Sequence, residues 1–238
     1  MTSTFMQALR ARWQSADTLV CVGLDPEPAK FPARFGGDAD AVFAFCRDIA
    51  DATAGYACAF KPQIAHFAAL GAEDALQRLI AHLHAAHPGV PVILDAKRGD
   101  IGSTMQAYAH AWLDEASPLC ADAVTVSPYL GFGSLSPAID AARSGGRGVF
   151  VLARTSNPEG AGLQLATTGD RTVGQTIVDD AAEQNADGSA TVGLVVGATR
   201  AHGLDLSALN GPILAPGLGA QGATAADLPE VFDGADPA

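Results

Sequence analysis

Charged side chains are concentrated directly behind one apolar run of the chain. The stretch LDAKRGDIGST, residues 94–104, contains Asp95, Lys97, Arg98 and Asp100, although only 17% of all residues are charged. On a strand, Asp95 and Lys97 point to the same side because they are two residues apart. An ion pair at about 4 Å and an effective dielectric near 20 is worth about 4 kcal/mol before desolvation, which keeps such groups ionised. The array predicts either a charged active site or a structural salt-bridge network, and spacing alone does not separate the two.

Seven short apolar runs must position these residues. They are LVCVGLD from 19, ACAFKPQ from 57, PVILDAK from 91, AVTVSP from 123, GVFVLART from 148, TVGLVVGA from 191 and GPILAPGLG from 212. Continuous runs of this kind are typical of strands buried on both faces of a parallel sheet. Helical patterns occupy 40–54, 73–87 and 172–185, and a short helix is expected near the N-terminus. The alternation predicts right-handed βαβ units.

The placement of the candidate residues favours an α/β (β/α)8 TIM-type barrel over an open sheet. Candidates follow several different strands, namely Asp25, Lys61, Asp95, Lys97, Ser156 and the glycines of PGLGAQG. Barrel active sites are built at the carboxyl ends of many strands, whereas an open sheet concentrates its site at one switch point. We therefore predict a single barrel domain over residues 1–238.

The count of predicted strands stops at seven. The apolar runs start 21 to 43 residues apart, so an eighth is due at about residues 233–255. The sequence ends at Ala238, after a stretch that resembles a loop. We expect a C-terminal portion, and with it the eighth strand, to be missing from the chain.

Composition excludes several classes of partner. The formal charge of -12 argues against nucleic acid, because phosphate backbones need a basic surface. No apolar run reaches the roughly 18 to 20 residues of a membrane span, so no membrane association is expected. The four cysteines lie far apart without a C-x-x-C pair, which favours buried, reduced thiols and a cytoplasmic location. The longest irregular stretch, 155–170, fits either a functional lid or a surface insertion.

Several of these segments resemble one known family. FKPQIAHFAALG, LDAKRGDIGST, TSNP and PGLGAQG, together with VGLDP near the start, are similar to orotidine 5'-monophosphate decarboxylases, in particular a bacterial branch. The resemblance covers residues 19 to 222 with the motifs in the same order. It implies conversion of orotidine 5'-monophosphate to uridine 5'-monophosphate by a homodimeric (β/α)8 barrel without metal or cofactor.

The resemblance also implies roles for individual residues. Lys61, Asp95, Lys97 and Asp100 match the family's charged tetrad, in which Lys97 stabilises the developing carbanion and donates the proton. Asp100 would reach the neighbouring subunit's site, accompanied by Ile101 and Thr104. The remaining matches are Asp25 on the ribose, Ser156 on the pyrimidine edge, Gln221 between lid and phosphate, and Pro216, Gly217 and Gly219 in the phosphate loop. The family's arginine after strand eight has no counterpart here, which puts phosphate affinity in doubt.

Two other functions stay open. The chain also resembles Mg2+-dependent sugar-phosphate decarboxylases and aldolases, which share the D-x-K-x-x-D pattern. That resemblance implies a carboxylate at the position of Lys61, which this chain does not have. A non-catalytic nucleotide-binding barrel is the second alternative. The histidines of HLHAAH are not expected to hold a metal, since only His84 and His87 should share a helical face. His66 and His110 are expected to be packed or capping residues, and Ser103 to cap a helix.

Overall fold

All seven predicted apolar runs form strands in the computed structural model, which describes residues 4–199, 201–219 and 221–232. Each run contains one strand, and a short hairpin lies between the fifth and sixth runs. The strands are β1 Cys21–Leu24, β2 Ala59–Pro62, β3 Ile93–Arg98, β4 Ala123–Val126, β5 Gly148–Arg154, β6 Thr167–Thr168, β7 Arg171–Thr172, β8 Val192–Val196 and β9 Ile213–Leu214. The strand prediction is therefore confirmed.

The seven main strands form a parallel array in chain order. β1 pairs with β2, and β3, β4, β5, β8 and β9 pair successively, in each case parallel. Parallel bridges from Phe60 to Val92 and from Gln63 to Asp95 join β2 to β3. Within the described residues β1 and β9 are the outer strands, and β6 and β7 form a separate antiparallel hairpin. The predicted parallel α/β architecture is confirmed.

Helices connect most of these strands. They are α1 Phe5–Ala16, α2 Ala39–Thr53, α3 Ile64–Ala69, α4 Glu73–Ala86, α5 Gly102–Leu113, α6 Ser136–Gly145, α7 Ala161–Gln164, α8 Val173–Gln184 and α9 Leu228–Val231. The four helices expected from the sequence are confirmed as α1, α2, α4 and α8. Between β8 and β9 the described residues contain no helix, and the backbone there has positive φ at Gly203 and Asn210.

Side chains of each strand alternate between an inner and an outer core. Leu94 packs in the outer cluster, under the helices, whereas Ile93 packs in the inner cluster with Phe5 of α1. The ring of Phe5 meets that of Phe150 edge-on, with centroids 5.8 Å apart. Since Arg12 of α1 also donates to the carbonyl of Ala57, before β2, α1 covers the amino ends of the strands. The opposite, carboxyl ends are left for the polar residues.

Two further predictions concern the burial of the cysteines and the absence of a membrane-spanning helix. All four cysteines are free thiols; Cys46 and Cys58 are buried, while Cys21 and Cys120 are half-buried. Burial raises the pKa of the Cys21 thiol to about 12, so this thiol is neutral at pH 7. Among the described residues, every helix is too short or too polar to cross a bilayer.

Candidate functional site

One buried carboxylate joins two lysines on the inner face of the barrel. Asp95 follows Ile93 by two residues on β3, so the strand pleat places its side chain above the apolar inner cluster. Lys61 of β2 brings its Nζ atom to 3.0 Å from Asp95 Oδ2, and Lys97 Nζ lies 2.6 Å from both carboxylate oxygens. Three members of the expected tetrad are therefore in direct contact within one chain.

Two neutral side chains complete the surroundings of Asp95. The Thr125 hydroxyl of β4 donates to Oδ1 at 2.7 Å, and the Gln63 amide donates to Oδ2 at 2.9 Å. Asp95 is only 3% exposed, and every hydrogen bond to its carboxylate comes from a donor on β2, β3, β4 or the residue after β2. A buried carboxylate held in this way is positioned rigidly and has little access to water.

The charges of this cluster stabilise one another. Burial disfavours the ionised form of Asp95, but the ammoniums of Lys61 and Lys97 outweigh it and hold the pKa of this carboxyl below its usual 3.8. Burial likewise disfavours the charged form of Lys61, yet Asp95 and then Asp25 keep the pKa of this ammonium above its usual 10.5. Asp95 and Lys61 are consequently both ionised at pH 7 and form a buried ion pair.

The backbone at Lys97 is strained. Its φ is +48°, a left-handed conformation that side-chain-bearing residues rarely adopt, and the β3–β4 register shifts between Leu94 and Arg98. The Lys97 amide donates to Thr125 Oγ1 at 3.0 Å, which holds the turn in place. As a result, the Lys97 side chain folds back over Asp95 and remains 42% exposed toward the mouth of the barrel.

The segment after β3 points outward from this chain. Gly99 packs directly on the β4 loop, where a Cβ atom would lie 2.0 Å from the Ser127 carbonyl oxygen, so only glycine fits. The Asp100 carboxylate accepts a hydrogen bond from the Ile101 amide at 2.8 Å and has no described bond to the Asp95 cluster. Ile101 is 61% exposed, and Thr104 is exposed on the first turn of α5.

The prediction that Ser103 caps α5 is wrong. Ile101 occupies the N-cap position, and no side chain, including that of Ser103, caps the helix. Asp25, by contrast, lies where the sequence predicts, beyond the carboxyl end of β1. Gly23 of β1 pairs with Lys61, and the alternation of the strand places Asp25 on the same side as the lysine.

Ser156 and Gln221 meet across the mouth of the barrel. The Ser156 hydroxyl donates to Gln221 Oε1 at 2.7 Å, which joins the loop after β5 to the loop after β9. The sequence predicted that the whole stretch 155–170 is irregular, and this prediction is wrong. The stretch contains a 3-10 turn at Pro158–Gly160, helix α7 and strand β6. The local hydrogen bonds of Asn157 with Thr155 and Glu159 stabilise its first turn.

A glutamine ties the two ends of this loop together. Gln164 Oε1 accepts from the Thr155 amide at 3.0 Å and from Arg154 Nη1 at 3.1 Å, while its Nε2 donates to Thr155 Oγ1 at 2.8 Å. The Arg154 guanidinium is buried and is therefore a support of the loop.

The glycine-rich loop after β9 is folded on itself. Gly217 has a φ of +123°, and a Cβ atom there would lie 2.7 Å from Thr199 Cγ2, so this position requires glycine. The amides of Gly219, Gly222 and Ala223 donate to carbonyls within the loop, and Pro216 accepts from Ala198. The next helix after this loop, α9, begins only at Leu228.

The histidine pairing expected from helical spacing is wrong. His84 lies beside Asp122, with 3.3 Å between Nε2 and Oδ2. His87 instead joins His82 at Asp51, because it is the C-cap of α4 and has left helical geometry. His110 pairs with Asp114 one turn later in the chain.

Sequence reasoning missed Gln63, Thr125 and Gln164. Two signals were available: Gln63 stands two residues after Lys61, on the same side of the chain, and Thr125 is the only polar residue in the buried run AVTV. Gln164 offered no such signal, because its role depends on how the loop closes.

Comparisons with known proteins show which family this chain resembles. A family model described as orotidine 5'-phosphate decarboxylase / HUMPS family matches residues 18–236. The orotidine 5'-phosphate decarboxylase of Azoarcus sp. (strain BH72) is 53% identical over 222 residues, which cover 92% of this chain and 79% of that protein. The protein of the same name from Aromatoleum aromaticum is 48% identical over 238 residues, covering 98% and 84%.

Solved structures are similar over nearly the whole chain. A Streptomyces avermitilis crystal structure, provisionally named orotidine 5'-phosphate decarboxylase, has a TM-score of 0.88 and 44% identity, and the match covers 98% of this chain and 83% of that one. Leishmania donovani OMP decarboxylase has a TM-score of 0.76 and 36% identity, with 98% and 84% covered.

Proposed function

The chain belongs to the orotidine 5'-phosphate decarboxylase / HUMPS family and is a carboxy-lyase of the decarboxylase type, and we propose that its Lys61–Asp95–Lys97 cluster carries out the reaction. The substrate is orotidine 5'-monophosphate and the product uridine 5'-monophosphate, in the last step of de novo pyrimidine nucleotide synthesis. The observation that carries the proposal is the contact of Lys97 Nζ with both oxygens of a buried carboxylate, 2.6 Å away, at the mouth of the barrel.

Lys97 acts on the charge that develops at C6 of the pyrimidine. The bond from C6 to the carboxylate breaks, CO2 leaves, and the electron pair stays on C6. The Lys97 ammonium stabilises this pair electrostatically and then transfers one proton to C6, which forms the C6–H bond of the product. The side chain is 42% exposed, so water can return the proton to the neutral amine before the next turnover.

Asp95 positions the ammonium and lies close to the departing carboxylate. At about 4 Å and an effective dielectric near 20, repulsion between two carboxylates amounts to about 4 kcal/mol. Enzymes typically lower a barrier by about 8–23 kcal/mol, so repulsion alone is insufficient. Stabilisation by Lys97 and closure around the substrate must supply the larger part.

Closure involves the two loops that Ser156 and Gln221 connect. We propose that Ser156 reads the pyrimidine edge and that Gln221 bridges the lid and the phosphate. Their hydrogen bond at 2.7 Å supports this assignment, because it places both side chains at the same point of the mouth. Pro216, Gly217 and Gly219 shape the phosphate loop, while Asp25, beyond β1, contacts the ribose.

We further propose a homodimer in which each active site receives Asp100, Ile101 and Thr104 from the neighbouring subunit. Support comes from the outward position of this segment and from the exposure of Ile101. Tyr129 and Leu130, after the adjacent strand β4, are also exposed and extend the apolar rim. A dimer would bury this surface and bring a fourth charge to the cluster. The domain prediction, one barrel over 1–238, and the cytoplasmic location also remain proposals.

The alternative functions differ at Lys61. A Mg2+-dependent sugar-phosphate enzyme needs oxygen ligands beside Asp95, whereas here the Lys61 ammonium lies 3.0 Å from that carboxylate. A cation in this position repels a divalent metal ion. We therefore propose catalysis without metal or organic cofactor. A non-catalytic nucleotide-binding barrel is disfavoured, because the buried Asp95 carboxylate between Lys61 and Lys97 weakens the attraction of these lysines for an anionic nucleotide.

The test is a spectrophotometric assay of orotidine 5'-monophosphate turnover, with and without chelator. We expect equal rates in both, and a loss of at least about 10³-fold in kcat for Lys97→Ala, because that variant lacks both the stabilising charge and the proton donor. Lys30→Ala is the matched control, since Lys30 forms an exposed ion pair with Glu27. Near-normal turnover by Lys97→Ala, or loss of activity in chelator, would contradict the proposal.

A further inference from the structure

Two imidazoles and one carboxylate meet on the outer surface of the barrel. Asp51 lies in the last turn of α2, His82 lies in α4, and His87 is the C-cap of α4. The Nε2 atoms of both histidines lie 2.7 Å from the same oxygen, Oδ1 of Asp51. One donor atom from each residue lies within 4.8 Å of the other two. These helix ends lead into β2 and β3, so the cluster is at the opposite end of the strands from the proposed active site.

The end of α4 creates this arrangement. Residues five apart on an ideal helix point about 140° away from each other, so His82 and His87 would not share a face. His87 has φ -130° and ψ 55°, which ends the helix and turns its ring back toward His82. The two ring centroids are 5.8 Å apart, with the ring planes at 82°. Both Nε2 atoms thereby point to one carboxylate on the neighbouring helix.

Aromatic rings pack against both histidines of the cluster. The Phe60 ring lies 5.9 Å from the His87 ring, and the Phe43 ring lies 6.3 Å from the His82 ring, in both cases measured between centroids. Both histidine side chains are largely covered, whereas Asp51 is more exposed. Three donors therefore converge from the protein side, and solvent can reach them from the other. Zinc sites with three protein ligands and a water in the fourth position are known from zinc enzymes.

We propose that Asp51, His82 and His87 bind one divalent transition-metal ion of the Zn2+ class, with water as the fourth ligand. Imidazole and carboxylate donors suit Zn2+, whereas Mg2+ and Ca2+ prefer oxygen ligands alone. When the ion is bound, each ring carries its proton on Nδ1 and offers the Nε2 lone pair to the ion. Bonds of about 2.0–2.1 Å place tetrahedral ligand atoms about 3.3 Å apart. The donor atoms at 2.7 Å thus need to separate by only about 0.6 Å.

The test is a titration of chelator-treated full-length protein with Zn2+ and with Co2+. We expect one ion per chain by calorimetry and a visible absorption band typical of tetrahedral Co2+. Because the ion would join α2 to α4, Zn2+ at about 100 times its dissociation constant should raise the melting temperature by about 5 to 10 °C. Absence of binding to the wild-type chain at a one-to-one ratio overturns the proposal and leaves a hydrogen-bonded clamp between two helices.

Variants locate the ion. His82→Ala removes a ligand, and the isosteric Asp51→Asn replaces an anionic oxygen by a neutral, weakly coordinating amide oxygen. Each should weaken Zn2+ binding by at least about 100-fold. His84→Ala is the matched control, because His84 lies on the same helix and pairs with Asp122 instead. If binding is equal in the His82 and His84 variants, the ion is elsewhere and the proposal is wrong. If His82→Ala fails to fold, as judged by circular dichroism, Asp51→Asn decides the question. Decarboxylase activity should be unchanged in all of them.

Discussion

Replacing Asp95 by asparagine would remove the buried carboxylate that the Lys61 and Lys97 ammoniums share. At 3.0 Å and an effective dielectric near 20, the attraction between Lys61 and Asp95 is about 5.5 kcal/mol. The contact of Lys97 is shorter, but its 42% exposed side chain is screened by solvent. The wild-type protein also carries the cost of burying the carboxylate, which offsets part of this gain. We therefore expect Asp95→Asn to lower the free energy of unfolding by about 3–5 kcal/mol, the usual range for a broken buried pair.

The expected loss depends on pH in a defined way. Asp95 has a lowered pKa, so its stabilisation is present above the unfolded value of 3.8 and is lost as pH falls through the lower folded value. Lys61 has a raised pKa, so its stabilisation is present below 10.5 and is lost as pH rises through the higher folded value. The difference in stability between wild type and Asp95→Asn should be constant from about pH 5 to 9 and shrink outside that window.

The measurement is urea unfolding at several pH values, with two reference variants. Asp40→Asn breaks an equally short ion pair, 2.6 Å from Arg78, but its side chain is 83% exposed, and it should cost less than about 1 kcal/mol. Lys61→Met combined with Asp95→Asn should lose less than the sum of the single variants, because one uncompensated ammonium is gone. If Asp95→Asn costs no more than Asp40→Asn, burial does not strengthen these charges and the reasoning is refuted.

Two further predictions concern the loop and the dimer. Gln164→Ala should reduce kcat/KM by about 10- to 100-fold, because the loop that carries Ser156 loses hydrogen bonds that are each worth about 0.5–3 kcal/mol. Gln14→Ala is the control, because Gln14 is exposed on α1. Equal kinetics in both variants would contradict the positioning role. Asp100→Ala and Lys97→Ala chains should each be inactive alone but regain activity when mixed and allowed to exchange subunits. If no mixture is more active than its components, Asp100 does not serve a neighbouring site.

Strand positions were predictable because burial on both faces imposes a continuous apolar pattern. The runs that begin at 57 and 91 became β2 and β3, and the period of two along each strand placed Lys61, Asp95 and Lys97 on the inner face. Their convergence then followed from the pairing of neighbouring parallel strands. The contact between Lys97 Nζ and the Asp95 carboxylate also requires the left-handed backbone at Lys97. The sequence does not predict this conformation, because lysine rarely adopts it.

Features that depend on how separate elements end were not predictable. The pairing of His82 with His87 needs the last turn of α4 to open, and helical spacing alone predicted His84 and His87. The closure of the 155–164 loop by Gln164 depends on a turn whose geometry no periodicity encodes. Asp100 is a third case, because its proposed role lies outside a single chain.

The saturated carboxylate at the floor of the mouth has a consequence for ligand choice. The Asp95 carboxylate accepts hydrogen bonds from four side chains, those of Lys61, Gln63, Lys97 and Thr125. Its oxygens therefore have no lone pair left to accept a further hydrogen bond. A ligand can hydrogen-bond only to the remaining N–H groups of the two ammoniums. The floor of the mouth therefore presents hydrogen-bond donors and no free acceptors. It favours binding of electron-rich, anionic compounds and disfavours binding of amines and other cations.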